Sequence, residues 1–410
     1  MLLAMSILMF GEELVLGGGS VIFTGVMIQP EQKYFDALFK GTVDYKSMND
    51  KYYPLVRKVL NLNSMPDDIY QSKPFGHSRI WDEQSKKAGY TPYPIDSIFN
   101  WDVIRDEINC KVRKSATIGE SNLGNSNGAK FDLTQNYLKY AQETNLAKVY
   151  PGHEVQSISH DGKQYVIDVK KINPEGKVLK SYTLTCDSLF LAAGSIGTSE
   201  LLVKAKHLKK LAKLNSYVGE GWGTNGDAIV VRSFSISEGL TQATPSASKI
   251  DDETMSSVPA TLENWYAPGV PVNIGIAGSL GMAFDTKNRA KFVYDAKKDK
   301  VNLLWPKTGN DECEKALRKL NNKITLKSLS VPGVPLVVND VTTSFTAHPL
   351  GGAVIGKATD NYGRVKGYKG LYVIDSALIP GSTGLVNPSL TIAALAERNI
   401  EEIINKDFYL

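Results

Sequence analysis

At 410 residues the chain exceeds the usual length of one domain, so two domains sharing a large interface are expected. Its 47 basic and 43 acidic side chains leave a formal charge of only +4, which excludes nucleic acid or an anionic membrane as the partner that charge would select. A small molecule is expected instead, and Cys110, Cys186 and Cys313 lie too far apart for a zinc site or a disulfide framework, so no metal is expected.

The first ten residues, MLLAMSILMF, carry no basic residue before the apolar run and no small-residue cleavage site. They are not read as a secretion signal, and they fall well short of the ~20 residues that cross a bilayer. A cytoplasmic location is the default expectation. Next comes the glycine cluster Leu16 to Ser20, LGGGS. Consecutive glycines let backbone approach a flat or anionic ligand without Cβ interference, and a tight turn is the plain alternative. From about Glu31 to Lys114 the pattern is irregular, rich in Pro and aromatics.

Between Ala147 and Leu191 apolar and polar residues alternate, with turns at Asp161-Gly162 and Pro174-Glu175-Gly176, which predicts an antiparallel meander. It runs into Ser188 to Gly194, a continuous apolar stretch of the kind found in a parallel strand buried on both faces. SIGTSELLVKAKHLKKL then reads as a helix that Ser195 or Thr198 is able to cap, its lysines forming a solvated face. GWGTNG at Gly221 to Gly226 satisfies GxGxxG, yet DAIVVRSFSI after it is strand-like, so the helix N-terminus that would face a pyrophosphate is missing. Residues 228–340 mix loops with alternating strands such as AKFVYDAKKDKVNLLW, and with 31–114 they are assigned to a second domain. Leu371 to Asp375 is a short buried strand, Pro380 to Gly384 a loop, and Pro388 to Ile404 a helix docked on the core. No repeat, GxSxG or HExxH occurs, so hydrolase chemistry has no starting point.

Of five histidines, His348 stands before Pro-Leu-Gly-Gly, a stiff, turning backbone suited to a group that takes a proton from a substrate hydroxyl. A satisfied structural histidine is the alternative, and it is the reading given to His77, His153, His160 and His207. Asn387, just before the final helix, can orient a hydroxyl or cap that helix.

The block from HPLGGAVIGKATDNYGRV through LYVIDSALIPGSTGLVNPSLTIAALAERNIEEII resembles the C-terminal part of the cholesterol oxidases, within the glucose-methanol-choline (GMC) oxidoreductases. The likeness extends upstream through VNLLW, VGEGWGTNGD, LFLAAGSIGTSELLVKA and LGNSNGAKFDLTQNYL to LGGGS. It implies an α/β chain with a Rossmann-like FAD-binding domain (residues 1–30, 115–227 and 341–410) and a substrate domain on a mostly antiparallel sheet (31–114 and 228–340). It implies FAD as cofactor, a sterol whose 3β-hydroxyl is oxidised, oxygen as acceptor, a monomer, and at most transient contact with a membrane surface. By the same resemblance His348 and Asn387 are the catalytic residues. Gly17, Gly18, Gly19, Val155, Gly194, Asn225, Asp375 and Ser376 are the cofactor contacts.

The chain also departs from the family pattern. It has no opening strand, GxGxxG turn and helix, so the FAD-binding domain is expected to be incomplete at its N-terminus. Phe23 and Thr24 stand where the family has asparagine and glycine, and Ser376 stands for a glycine. Gly275 falls at the position of the glutamate that moves a proton during double-bond isomerisation, so that step is expected to be weak or lost. The alternatives are a non-catalytic remnant unable to hold FAD and a flavin oxidoreductase acting on another bulky alcohol.

Overall fold

The computed structural model describes residues 16–233, 243–265, 276–328 and 346–408. In chain order the elements that position the site are α1 (Gln32–Phe39), α2 (Gly76–Lys87), β1 (Tyr93–Pro94), β2 (His153–His160), β3 (Tyr165–Ile172), β4 (Val178–Cys186), β5 (Leu189–Leu191) and α3 (Gly194–His207). They continue with β6 (Glu220–Trp222), β7 (Asp227–Ser233), β8 (Ser248–Asp252), β9 (Ala260–Trp265), β10 (Ile276–Ala283), β11 (Ala290–Asp295), β12 (Lys300–Leu304), α4 (Asp311–Lys327), β13 (Leu371–Val373) and α5 (Ser389–Asp407).

The predicted meander is present as β2-β3-β4, antiparallel throughout. Tyr165, Ile167 and Val169 on β3 point to the core at period two. The alternation slips at Ile172, where a bulge between Lys171 and Ile172 shifts the register and turns the later side chain inward. β5 pairs in parallel with β13, joining segments far apart in the chain through Leu189 to Leu371 and Leu191 to Val373. α3 packs against β2 and β11, and the β11–β12 hairpin enters the same core through Phe292 and Val301.

A five-stranded antiparallel sheet, ordered β1-β8-β9-β10-β7, forms the second layer. One face is covered by α2 and α4, with Trp81, Ile250, Leu262, Leu317 and Leu320 between them. Arg232 lies in that layer, fully buried. Its guanidinium donates to Gln84 and Asn321 and sits over the Trp81 ring, so it ties β7 to both helices. The other face carries Ile229, Val231, Trp265 and Leu280, together with the site residues described below. Among the described residues no helix is long and apolar enough to cross a membrane.

The two layers meet at the Pro-Leu-Gly-Gly segment. Gly223 and Leu350 exchange backbone hydrogen bonds, Gly223 N–H to Leu350 at 2.8 Å and the reverse at 3.1 Å. Gly351 and Gly352 follow with φ of 95° and 104°. A Cβ on Gly351 would strike the Gly221 carbonyl, and one on Gly352 would strike the Ser199 hydroxyl of α3. Glycine is therefore required on both conformational and steric grounds. Gly352→Ala is expected to cost about 2 to 4 kcal/mol, the sum of a left-handed Ala and an overpacked contact. The chemical denaturation midpoint, compared with that of Gly41→Ala, where the added methyl meets open space, checks this.

Candidate active site

Strand β7 begins where the GWGTNG turn ends, so the turn leads from strand to strand, and no helix follows it. Besides Gly221 and Gly226, Asn225 of this turn is left-handed, φ 59°, a conformation that Asn tolerates better than most side chains. Its amide Nδ2 donates to the Val386 carbonyl at 3.0 Å, and its Oδ1 accepts from the Thr383 N–H at 2.9 Å. One side chain thus clamps the loop that carries Asn387. The Gly223–Leu350 pairing brings His348 beside the same turn. Asp227, the first residue of β7, is fully buried. Its carboxylate accepts from the Ala347 N–H at 2.9 Å and the Thr346 hydroxyl at 3.0 Å, and lies 3.0 Å from His348 Nδ1.

On the other side of the imidazole, Asn387 Nδ2 lies 3.5 Å from His348 Nε2 and donates to Glu263 Oε2 at 3.3 Å. Asn387 does not cap α5, whose N-terminus has no side-chain cap, so the capping alternative is excluded. Glu263, on β9, was missed from sequence. Its cross-strand neighbour on β8 is Lys249, buried, with Nζ donating to the Leu385 carbonyl at 3.3 Å and 3.2 Å from Asp251. Gly275 lies outside the described residues. Glu263 is a carboxylate at the site from a different strand, which the pairing of β8 with β9 and the loop before α5 bring against Asn387. A charged residue inside a strand whose other residues are all buried was the signal available in ATLENW.

Burial pushes the Glu263 carboxyl up to about 7, against the opposing pull of Lys249 and His348. Burial alone would lower the His348 pKa. The Asp227 charge and hydrogen bond, with Glu263 behind them, outweigh it and raise the pKa above the ordinary 6.5. Two buried acceptors, Asn387 Oδ1 and Glu263 Oε1, have no hydrogen-bond partner. Acceptors left so are costly, and an O–H or N–H donor brought to this point would satisfy them. Ile229, Val231, Trp265 and Leu280, on the same sheet face, give an apolar wall.

The sequence-predicted cofactor residues fall into separate groups. Asn225 joins His348 and Asn387. Gly194, Asp375 and Ser376 meet at the start of α3, where Asp375 Oδ2 accepts from the Gly194 N–H at 2.9 Å and the Ser376 hydroxyl from the Ser195 N–H at 2.8 Å. Capping of α3 thus comes from distant side chains. Ser195 instead donates to the Gly351 carbonyl, and Thr198 accepts from Ala193. That helix terminus holds a carboxylate where an anionic group would bind. Gly17 (φ 96°) and Gly18 (φ 54°) open a short turn against residues 132–134, and the space beside Gly18, Gly19 and Gly194 is open. Val155 is 40% exposed on β2, the strand that packs on α3.

Comparison with known proteins gives the chain relatives of one kind. The family described as GMC oxidoreductase matches residues 307–396. A cholesterol oxidase from Acinetobacter baumannii is 24% identical over 94% of this chain and 80% of its own length. One from Mycobacterium tuberculosis (strain CDC 1551 / Oshkosh) is 26% identical over 93% and 76%. In fold, an FAD-dependent oxidoreductase from Chaetomium thermophilum superposes with a TM-score of 0.65 at 15% identity, covering 96% of this chain and 86% of that one. Pyridoxine 4-oxidase from Mesorbium loti gives 0.63 at 13%, covering 93% and 82%. The family match and the relatives support a flavin-dependent oxidoreductase. The chain is similar to the GMC oxidoreductases, a family that uses FAD, and within them to the cholesterol oxidases.

Lys249 holds the Glu263 pKa down, so Lys249→Met should raise it. In a pH titration followed by infrared spectroscopy, the protonated-carboxyl band assigned by Glu263→Gln is expected to persist to higher pH in Lys249→Met than in the unmutated protein.

Proposed function

We propose that the protein oxidises the 3β-hydroxyl of a sterol to the ketone, with oxygen as the final electron acceptor, and that Glu263 then shifts the ring double bond. The observation that carries the reading is the convergence of His348 Nε2 and Glu263 Oε2 on the Asn387 amide nitrogen, with Asn387 Oδ1 and Glu263 Oε1 left without a partner, beside an apolar wall. A single hydroxyl on a large apolar body is what such a surface suits. The relatives that carry the name cholesterol oxidase favour a sterol over other bulky alcohols.

His348 Nε2 accepts the hydroxyl proton while Asn387 Nδ2, beside it, donates to the hydroxyl oxygen, which eases departure of hydride from the carbinol carbon. FAD, when bound, supplies the acceptor for that hydride. The unpartnered Asn387 amide oxygen and the open glycine edge at Gly18, Gly19 and Gly194 are the features that fit it. Glu263 as carboxylate takes a proton from C4 of the 5-en-3-one and returns it at C6, giving the conjugated 4-en-3-one with no net change in atoms. The low-dielectric strand face that raises its pKa also lets it hold that proton between the two steps.

With cholesterol as substrate, His348→Gln is expected to lower kcat/KM about 10²- to 10⁴-fold, the usual contribution of a positioned acid or base. Glu263→Gln should leave oxidation in place and release the unconjugated ketone, read by the missing enone absorbance. Conjugated product at the unmutated rate from Glu263→Gln would remove Glu263 from the mechanism. For the unmutated protein, the imidazole must be neutral to accept a proton. Oxidation is therefore expected to rise with pH through a midpoint above 6.5, the direction set by the Asp227 pairing. A pH profile of kcat/KM with an acid limb centred below 6.5 would contradict this assignment.

A further inference from the structure

We infer that Asp227 is a positioning residue that holds the His348 imidazole protonated at Nδ1, so that Nε2 presents its lone pair to Asn387 Nδ2 and to the substrate hydroxyl. The consequence for turnover rests on the oxidase reading, whereas the geometry does not. Asp227 is fully buried, and its carboxylate already accepts from the Ala347 N–H and the Thr346 hydroxyl, two groups in the segment that leads into His348. The same carboxylate therefore fixes both the backbone approach and the ring. Its 3.0 Å distance to Nδ1 is within hydrogen-bond reach. Were Nδ1 unprotonated, a lone pair would face a buried carboxylate, and the hydrogen bond between ring and carboxylate would be lost.

Two amides face the ring besides Asp227. Asn225 Nδ2 is 3.5 Å from Nδ1, but it makes a shorter bond, 3.0 Å, to the Val386 carbonyl. Asn387 Nδ2 is 3.5 Å from Nε2 and points a donor there, which is compatible only with an unprotonated Nε2. The charged groups near the ring are Asp227 on β7 and Glu263 on β9, with Lys249 on β8 beyond Glu263. After proton uptake the imidazolium lies between two carboxyl groups, and Asp227 stabilises it without itself taking the proton. This is the arrangement that gives a histidine base both its direction and its basicity.

The test is nitrogen NMR on the purified protein labelled at histidine, with the His348 signals identified by their loss in His348→Gln. At a pH high enough to neutralise the ring, the inference expects a protonated Nδ1 and an unprotonated Nε2 in the unmutated protein. Asp227→Asn is isosteric. It should move the titration midpoint of His348 to lower pH, erase the single-tautomer preference and reduce kcat about 10²-fold with little change in KM. A protonated Nε2 in the unmutated protein overturns the inference whether or not Asp227→Asn folds. So does an Asp227→Asn protein whose His348 titrates and partitions as before. The expected tautomer in a protein that oxidises no sterol would support the positioning and count against the oxidase reading alone.

Discussion

The site depends on one close backbone crossing. Residues 349–352 lie against the 221–223 strand on one side and α3 on the other, and only glycine at 351 and 352 leaves room for both contacts. That crossing joins the core built on the parallel β5–β13 pair to the five-stranded sheet. It also sets His348 at the start of β7, within reach of Asp227, while Asn225 in the same turn clamps the loop bearing Asn387. Four functional side chains from three distant stretches of chain are thus positioned by one arrangement of main chain, and a loosening there would misplace all of them together.

Placing two carboxyl groups and a histidine in a region shielded from water has an electrostatic cost that the site meets in two different ways. Asp227 is matched: it accepts from a backbone N–H and a hydroxyl, and faces the imidazole. Glu263 is only half matched, with one oxygen bonded to Asn387 and the other left open. The two environments separate the roles of the two acids. A satisfied carboxylate holds a neighbour in place, whereas a desolvated one with a raised pKa is prepared to exchange a proton near neutral pH. Lys249 limits how far that rise goes.

Much of the scaffold could be read from the residues. The β2-β3-β4 meander followed from alternation and its glycine turns, α3 and α5 from helical spacing, and the lack of a helix after GWGTNG from the strand-like run beyond it. His348 and Asn387 stood out because stiff Pro and Gly neighbours frame them. Glu263 and Lys249 did not, since β8 and β9 are buried along most of their length and so show no polar face against which a charge would be conspicuous. Their meeting is a matter of strand register, which local pattern does not specify. The capping of α3 was misassigned for a similar reason: Asp375 and Ser376 supply it from across the parallel pair, where local Ser195 and Thr198 were expected.

The central claim is that these side chains surround the reacting edge of a flavin and a sterol hydroxyl. Anaerobic mixing of the FAD-containing protein with a 3β-hydroxysterol, followed at the flavin absorbance band, tests it most directly. The account predicts bleaching of the band with one equivalent of ketone formed per flavin. Protein that takes up no FAD, or whose flavin stays oxidised in the presence of sterol, would contradict it.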